Sequence, residues 1–131
     1  MNIKSVLVEV APGEMIDKIT ILMIKSERIK DEKKLANIEL ELGILSSKLK
    51  KYIPSSPELD TLISELKVVN EKLWAIEDDI RDCERKADFS QDFINLARDV
   101  YFTNDKRSNL KREINIFLGS EIIEEKSYKS Y

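Results

Sequence analysis

Residues 59–83 read LDTLISELKVVNEKLWAIEDDIRDC, and this stretch decides the fold of the chain. Its apolar side chains recur at alternating intervals of three and four residues, at Leu59, Leu62, Leu66, Val69, Leu73, Ile76, Ile80 and Cys83. That spacing places them on one stripe of an α-helix, as in a coiled coil. The stretch therefore predicts a long amphipathic helix that needs a partner helix to cover its stripe.

The rest of the chain predicts three more helices. Together the four are expected at about residues 12–30, 31–52, 57–86 and 90–118, joined by short links. The first is apolar on nearly all sides between Ile16 and Ile24, which predicts a central position. Residues 1–11 have a β-like pattern and are expected to form a short extended arm, and residues 120–131 a polar tail. The prediction is one all-α domain, an antiparallel four-helix bundle.

Turn residues indicate where two of these helices begin and end. Ser55 and Glu58 match a capping box for the third helix, with Pro57 in its first turn. Gly119 is expected to end the fourth helix, because glycine readily adopts the left-handed conformation found there.

The composition excludes several kinds of site. Of the 131 residues, 36% are charged, the net charge is −3 and none is His, so His-dependent triads and His-ligated zinc are impossible within this chain. The single Cys83 excludes an internal disulfide and indicates a reducing, cytoplasmic location. Nucleic acid and membrane are not expected partners, because the acidic balance leaves no basic surface and no apolar stretch could span a bilayer.

The fourth helix interrupts its own apolar stripe in the middle. Continuing the stripe places Thr103 and Arg107 at consecutive core positions. A buried guanidinium is costly unless it is paired, so Arg107 should face a carboxylate or a bound anion. The alternative is that the stripe shifts its register here and lets Arg107 reach solvent. A helical hairpin about residue 88 would bring Asn70 of the third helix close to Arg107.

Polar residues beside the apolar stripes are predicted to converge on one site. The expected ligand-binding residues are Asp17, Lys18, Asn70, Trp74, Arg81, Asn104, Asp105, Arg107 and Lys111. In a catalytic site Glu77 and Asp78 would transfer protons, because no His is available. The carboxylates expected to hold Mg²⁺, which prefers oxygen ligands, are Glu14, Asp17, Glu77 and Asp78.

These residues leave two functions open. One is a small-molecule site, either binding an anionic or phosphorylated ligand or catalysing a Mg²⁺-dependent reaction on it. The other is a non-enzymatic helical module for protein–protein interaction or oligomerisation, in which the polar residues fix the register of the helices. Ile44, Ile63 and Val68 widen the apolar surface beyond the need of four helices, which favours a homodimer.

Five segments carry a resemblance, and they are PGEMIDKITIL at 12–22, NEKLWAIEDDIR at 70–81, YFTNDKR at 101–107, KREIN at 111–115 and EEKSY at 124–128. They resemble a bacterial and phage family of small helical proteins known only as a domain of unknown function. The resemblance spans nearly the whole chain. It implies that the clusters around Glu77 and Asn104 are family motifs, and it implies no activity.

Two characterised helical enzyme families show partial similarity. Glu14 and Asp17, together with the acidic run 77–82, are similar in kind to the carboxylates that hold Mg²⁺ in dimeric all-α nucleoside triphosphate pyrophosphatases, although the compact order of their motifs is absent. The first helix, from Ile16 to Arg28, resembles the start of small helical chorismate mutases, whose further binding residues have no match in order.

Overall fold

The computed structural model describes residues 1–131 as four α-helices with no β-strand. The helices are α1 (Pro12–Arg28), α2 (Glu32–Tyr52), α3 (Pro57–Arg85) and α4 (Gln91–Leu118). The predicted all-α fold is confirmed, and every predicted helix end lies within two residues of the observed one. None of the helices combines the length and the apolar composition that crossing a bilayer requires.

The first helix, α1, occupies the centre of the bundle. It lies close to each of the other three helices, whereas α2 comes close to α1 alone. α1 runs antiparallel to α4, since Gly13 contacts Asn115 and Asp17 contacts Arg107. The apolar core joins three helices, through Ile16 of α1, Leu59 and Leu66 of α3 and Ile114 of α4. The predicted central position of the first helix is therefore confirmed.

The ends of α3 and α4 follow from single residues. Ser56, not Ser55, caps α3, and its Oγ accepts a hydrogen bond from the Leu59 N–H at 3.1 Å. The predicted capping box is wrong because Pro57 occupies the first helical position, which makes the preceding residue the cap. Gly119 ends α4 as predicted, with a φ of 70° in the left-handed region.

Both ends of the chain lie outside the helices. Residues 1–11 have no regular secondary structure, and residues 1–10 form no backbone hydrogen bond. Ala11 is buried, whereas the large apolar side chains of this arm are all exposed, namely Met1, Ile3, Val6, Leu7, Val8 and Val10. Residues 120–131 form a tail without regular secondary structure.

Candidate functional site

Asp17 lies at the centre of a buried polar cluster that it forms with Thr20, Asn70 and Arg107. Its side chain is only 2% exposed. The Arg107 Nε donates a hydrogen bond to Asp17 Oδ1 at 2.9 Å, and the Nη2 donates to Oδ2 at 2.5 Å. Two parallel bonds of this kind are the strongest pairing available to a carboxylate and a guanidinium. The pair joins α1 to α4.

The Arg107 side chain reaches this cluster from the edge of the bundle and is 30% exposed. Its hydrogen bond to Asp17 raises the pKa of the guanidinium, and this effect outweighs the lowering that burial alone would cause. Arg107 is therefore a permanently charged partner of a buried carboxylate.

Asn70 connects the same cluster to α3. Its Nδ2 donates to Asp17 Oδ1 and to Thr20 Oγ1, each at 2.9 Å. The Thr20 hydroxyl donates in turn to the Asp17 backbone carbonyl at 2.7 Å. No buried side-chain nitrogen or oxygen in the protein lacks a hydrogen-bond partner. The cluster thus ties α1, α3 and α4 together with its polar groups satisfied.

A second contact fixes the beginning of α1 against the end of α4. The Gly13 N–H donates to Asn115 Oδ1 at 2.7 Å. A Cβ atom on residue 13 would lie 2.8 Å from that oxygen and still closer to the Lys111 backbone carbonyl oxygen. The two helices can therefore approach this closely only because residue 13 is glycine.

Lys111 lies beside the cluster and is 12% exposed. Its Nζ donates to Glu14 at 2.6 Å and to Glu124 at 3.1 Å. Burial alone would lower the pKa of this lysine, but the hydrogen bonds to the two carboxylates outweigh burial and raise the pKa above its ordinary value. Lys111 therefore joins the start of α1 to the tail.

The tail folds back along α4 and is held by side-chain contacts. These are Glu124 with Lys111, Glu125 with Arg112 and the Tyr131 hydroxyl with Asp105. The Tyr131 ring packs edge-on against Phe102 and Tyr101, with centroids 4.7 and 5.4 Å away. The tail contacts α4 on both sides of Arg107 in the sequence, at residues 105 and 111.

The structure brings several of the predicted ligand-binding residues together. Asp17, Asn70 and Arg107 form the polar cluster, and Lys111 lies beside it. Asn104 and Asp105 precede Arg107 on α4 and are half-buried. The Asn104 backbone carbonyl accepts a hydrogen bond from the Ser108 hydroxyl at 3.0 Å, and the Asp105 side chain binds the tail.

Lys18 and Trp74 of the predicted set lie outside the cluster. The Lys18 Nζ binds the Glu41 carboxylate of α2 at 2.8 Å. The Trp74 ring faces the Arg28 guanidinium, which lies 5.7 Å from the ring centroid. Both side chains are therefore engaged with neighbours that have no part in the cluster.

The residues predicted to be catalytic also lie apart. Glu77 and Asp78 are exposed, and Glu77 pairs with Arg81, four residues on, at 3.3 Å. The polar contacts between α1 and α3 extend only as far as Trp74. Glu77, Asp78 and Arg81 follow Trp74 on α3, and no hydrogen bond or ion pair connects any of them to Asp17.

The carboxylates proposed for Mg²⁺ do not form a set in this structure. Both Asp17 oxygens already accept hydrogen bonds from Arg107, and Glu14 is paired with Lys111. No three Asp, Glu or Cys side chains lie together in a way that would hold a metal ion. The residues present therefore do not fit the expected metal site.

Several residues of the site were not predicted. Asn115 follows Lys111 by four residues and Arg107 by eight, so helical spacing puts the three on one row of α4 and could have revealed it. Thr20 could have been found in the same way, three residues after Asp17 on α1. Nothing in the sequence indicates the tail contacts of Glu124 and Tyr131, because the tail has no periodic pattern.

The fold and the site together define an all-α protein whose central helix is held by a buried carboxylate with a partly exposed guanidinium partner and by side-chain amides. The chain belongs to a family of unknown function, DUF6165, whose model matches residues 6–131. The match covers all four helices, the polar cluster and the tail. Comparison with curated proteins gives no match, and neither does comparison with solved structures.

Proposed function

We propose that this protein is a helical association module that acts as a homodimer, and that its polar cluster fixes the register of the helices. The observation that carries this proposal is the size of its surface. The chain exposes 9713 Å². A compact monomer of 15.2 kDa is expected to expose only about 7,100 Å².

The excess of about 2,600 Å² is larger than the area that a standard protein–protein interface takes from each partner, about 800 Å². Large apolar side chains contribute to the exposed surface. The arm exposes six large apolar side chains, and Leu40, Ile44 and Val68 are exposed on the helices. Association with a second copy would remove part of this apolar surface from water.

The polar cluster supports the same function. Both carboxylate oxygens of Asp17 accept hydrogen bonds from Arg107. Asn70 donates hydrogen bonds to Asp17 and to Thr20, and the Thr20 hydroxyl donates to the Asp17 backbone carbonyl. Buried polar groups with this degree of satisfaction specify one alignment of the helices, in the way that a single buried polar residue sets the register of a coiled coil.

Binding of an anionic ligand at the same place has less support. The two cations there, Arg107 and Lys111, already pair with Asp17, Glu14 and Glu124. These carboxylates outnumber the cations, so the site does not attract negative charge. Two surface grooves, of about 530 and 460 Å³, include neither cation in their lining.

Light scattering or sedimentation of the full chain at tens of micromolar tests the proposal. We expect a mass twice the 15.2 kDa of one chain. A mass of one chain at that concentration would rule the proposal out.

A thermal-shift measurement tests the anionic alternative. A ligand at 100 times its dissociation constant adds about 2.7 kcal/mol to the stability of the folded state. We expect inorganic pyrophosphate, with or without Mg²⁺, to produce no saturable shift. A shift that saturates in the natural chain and is lost in Lys111→Met would favour the ligand site instead.

A further inference from the structure

The helix α2 is the least buried of the four. Only Ile38 among its residues is buried, and α1 is the only helix close to it. At 100° per residue, the stripe that contains Ile38, Leu42, Leu45 and Leu49 lies on the side that packs on α1. Leu40 and Ile44 lie on the opposite side and are 66% and 52% exposed. We call this opposite side, with Gly43 and Ser47, the outer face of α2.

No packing contact within one copy of the chain requires glycine at position 43 on the outer face. A glycine in the interior of a helix lowers its stability relative to alanine. A Cβ atom at residue 43 would meet nothing within 4 Å, so no contact in the monomer requires its absence. Close approach of another helix is the usual reason for glycine at such a position.

The charges of α2 are arranged for pairing with a reversed copy of itself. Near the middle of α2, Glu39 and Glu41 precede the midpoint and Lys48 and Lys50 follow it, whereas the other charged residues lie at the two ends of the helix, namely Glu32, Lys33, Lys34 and Lys51. Helical spacing puts Glu39 and Lys50 along one edge of the outer face, and Glu41 and Lys48 along the other. The Glu41 carboxylate also reaches Lys18 at 2.8 Å, and the Glu41 side chain remains 45% exposed.

We propose that the outer face of α2 is the dimer interface, and that it packs against the α2 of a second copy in antiparallel orientation. This inference rests on the proposed function and names the surface that serves it. With the two-fold axis between residues 44 and 45, Glu39 faces Lys50 of the second copy and Glu41 faces Lys48. All four Glu–Lys pairs of the dimer are then attractive, as edge charges are in helix pairs that select their own orientation.

The same axis determines which outer-face residues meet. Ile44 lies next to Ile44 of the second copy, with Gly43 beside it allowing the helices to approach. Leu40 lies 4.5 residues from the axis, so the two Leu40 side chains are roughly 13 Å apart along the helices at a rise of 1.5 Å per residue. The outer face therefore contributes a compact apolar centre between two charged edges.

Charge reversal tests the pairing of the edges. One variant carries Glu39→Lys and Glu41→Lys, and the other carries Lys48→Glu and Lys50→Glu. Each alone places like charges opposite each other in the dimer, and we expect its dissociation constant to rise by about tenfold or more. Mixed together, the two variants should form a heterodimer as tight as the natural homodimer, which light scattering measures directly.

Cross-linking tests the orientation, with Cys83→Ser as background. Ile44→Cys should form a covalent dimer on oxidation, because a disulfide needs Cβ atoms about 3.8 Å apart. Leu40→Cys on the same face is the matched control and should stay monomeric under denaturing electrophoresis. A covalent dimer from both variants would indicate parallel pairing and overturn the proposed orientation.

The outcomes separate this inference from the proposed function. If the natural chain has the mass of a dimer but neither charge reversal nor Ile44→Cys behaves as expected, the dimer uses another surface and only this inference fails. If the natural chain has the mass of one copy, both the proposed function and this inference fail.

Discussion

The Arg107 guanidinium donates two hydrogen bonds to the Asp17 carboxylate from a position 90 residues later in the chain. The carboxylate is almost fully buried, whereas the guanidinium is partly in contact with solvent. Removing the two partners therefore has unequal consequences, because a buried charge left alone is far more costly than an exposed one.

Replacing Arg107 should be costly, because it leaves the buried Asp17 carboxylate without a partner. We expect Arg107→Leu to lower the free energy of unfolding by about 3 kcal/mol, because Asp17 stays buried without its counter-charge. Urea unfolding at fixed protein concentration measures the change. The double variant with Asp17→Leu should recover most of the loss.

The matched control is Arg81→Leu, which removes an exposed arginine paired with Glu77 four residues away. An exposed pair of this kind contributes about 0.5 kcal/mol at most. Equal effects of Arg107→Leu and Arg81→Leu would contradict a structural role for the buried pair.

Gly13 should tolerate no side chain. We expect Gly13→Ala to lower the free energy of unfolding by about 1–3 kcal/mol, because the added methyl group would overlap a backbone carbonyl of α4 that cannot rotate away. Lys18→Ala, at an exposed position of the same helix, serves as the control and should change stability little. A Gly13→Ala protein as stable as the natural one would mean that α1 and α4 are less closely packed than described.

We expect the protein to lose stability in alkaline solution as Lys111 loses its charge. Its pKa in the folded protein is raised above the ordinary value of 10.5, so its stabilising contribution is complete below that value. The contribution is lost as the pH rises through the raised pKa, because the neutral amine no longer attracts Glu14 and Glu124. The free energy of unfolding, measured at increasing pH across this range, should decline less steeply for Lys111→Met than for Lys33→Met, which is the control at an exposed position. Identical slopes would show that the charge of Lys111 contributes nothing.

Cys83 should react slowly for a half-buried thiol. Burial raises its pKa above the ordinary value of 9.0, and the charges of Asp88 and Asp92 raise it further. Because the thiolate is the reactive form, alkylation by iodoacetamide near neutral pH should be slow in the folded protein. Unfolding in urea should accelerate it, and so should Asp88→Asn combined with Asp92→Asn. Unchanged rates in that double variant would assign the slow reaction to burial alone.

The helices were predictable to within two residues because apolar stripes are local patterns, written within each segment. The need of Arg107 for a counter-charge was also predictable, since position 107 continues the stripe of α4. Its partner was harder to foresee, because that depends on where α1 crosses α3 and α4. The acidic run 77–82 looks like the stronger source of carboxylates, yet Glu77 is exposed and paired with Arg81. The Gly13–Asn115 bond and the tail contacts depend wholly on tertiary packing.

The central position of α1 has a consequence for how the chain is made. During synthesis α1 leaves the ribosome first, while the Arg107 and Asn115 that complete its surroundings come about 90 and 100 residues later. At about 5–20 residues per second, the most apolar helix waits roughly 5–20 seconds for α4. In that interval α2 alone is available to shield it at first. The apolar surface of α1 is thus exposed to chaperones and to aggregation until α4 has been made, and only then can the bundle complete its folding.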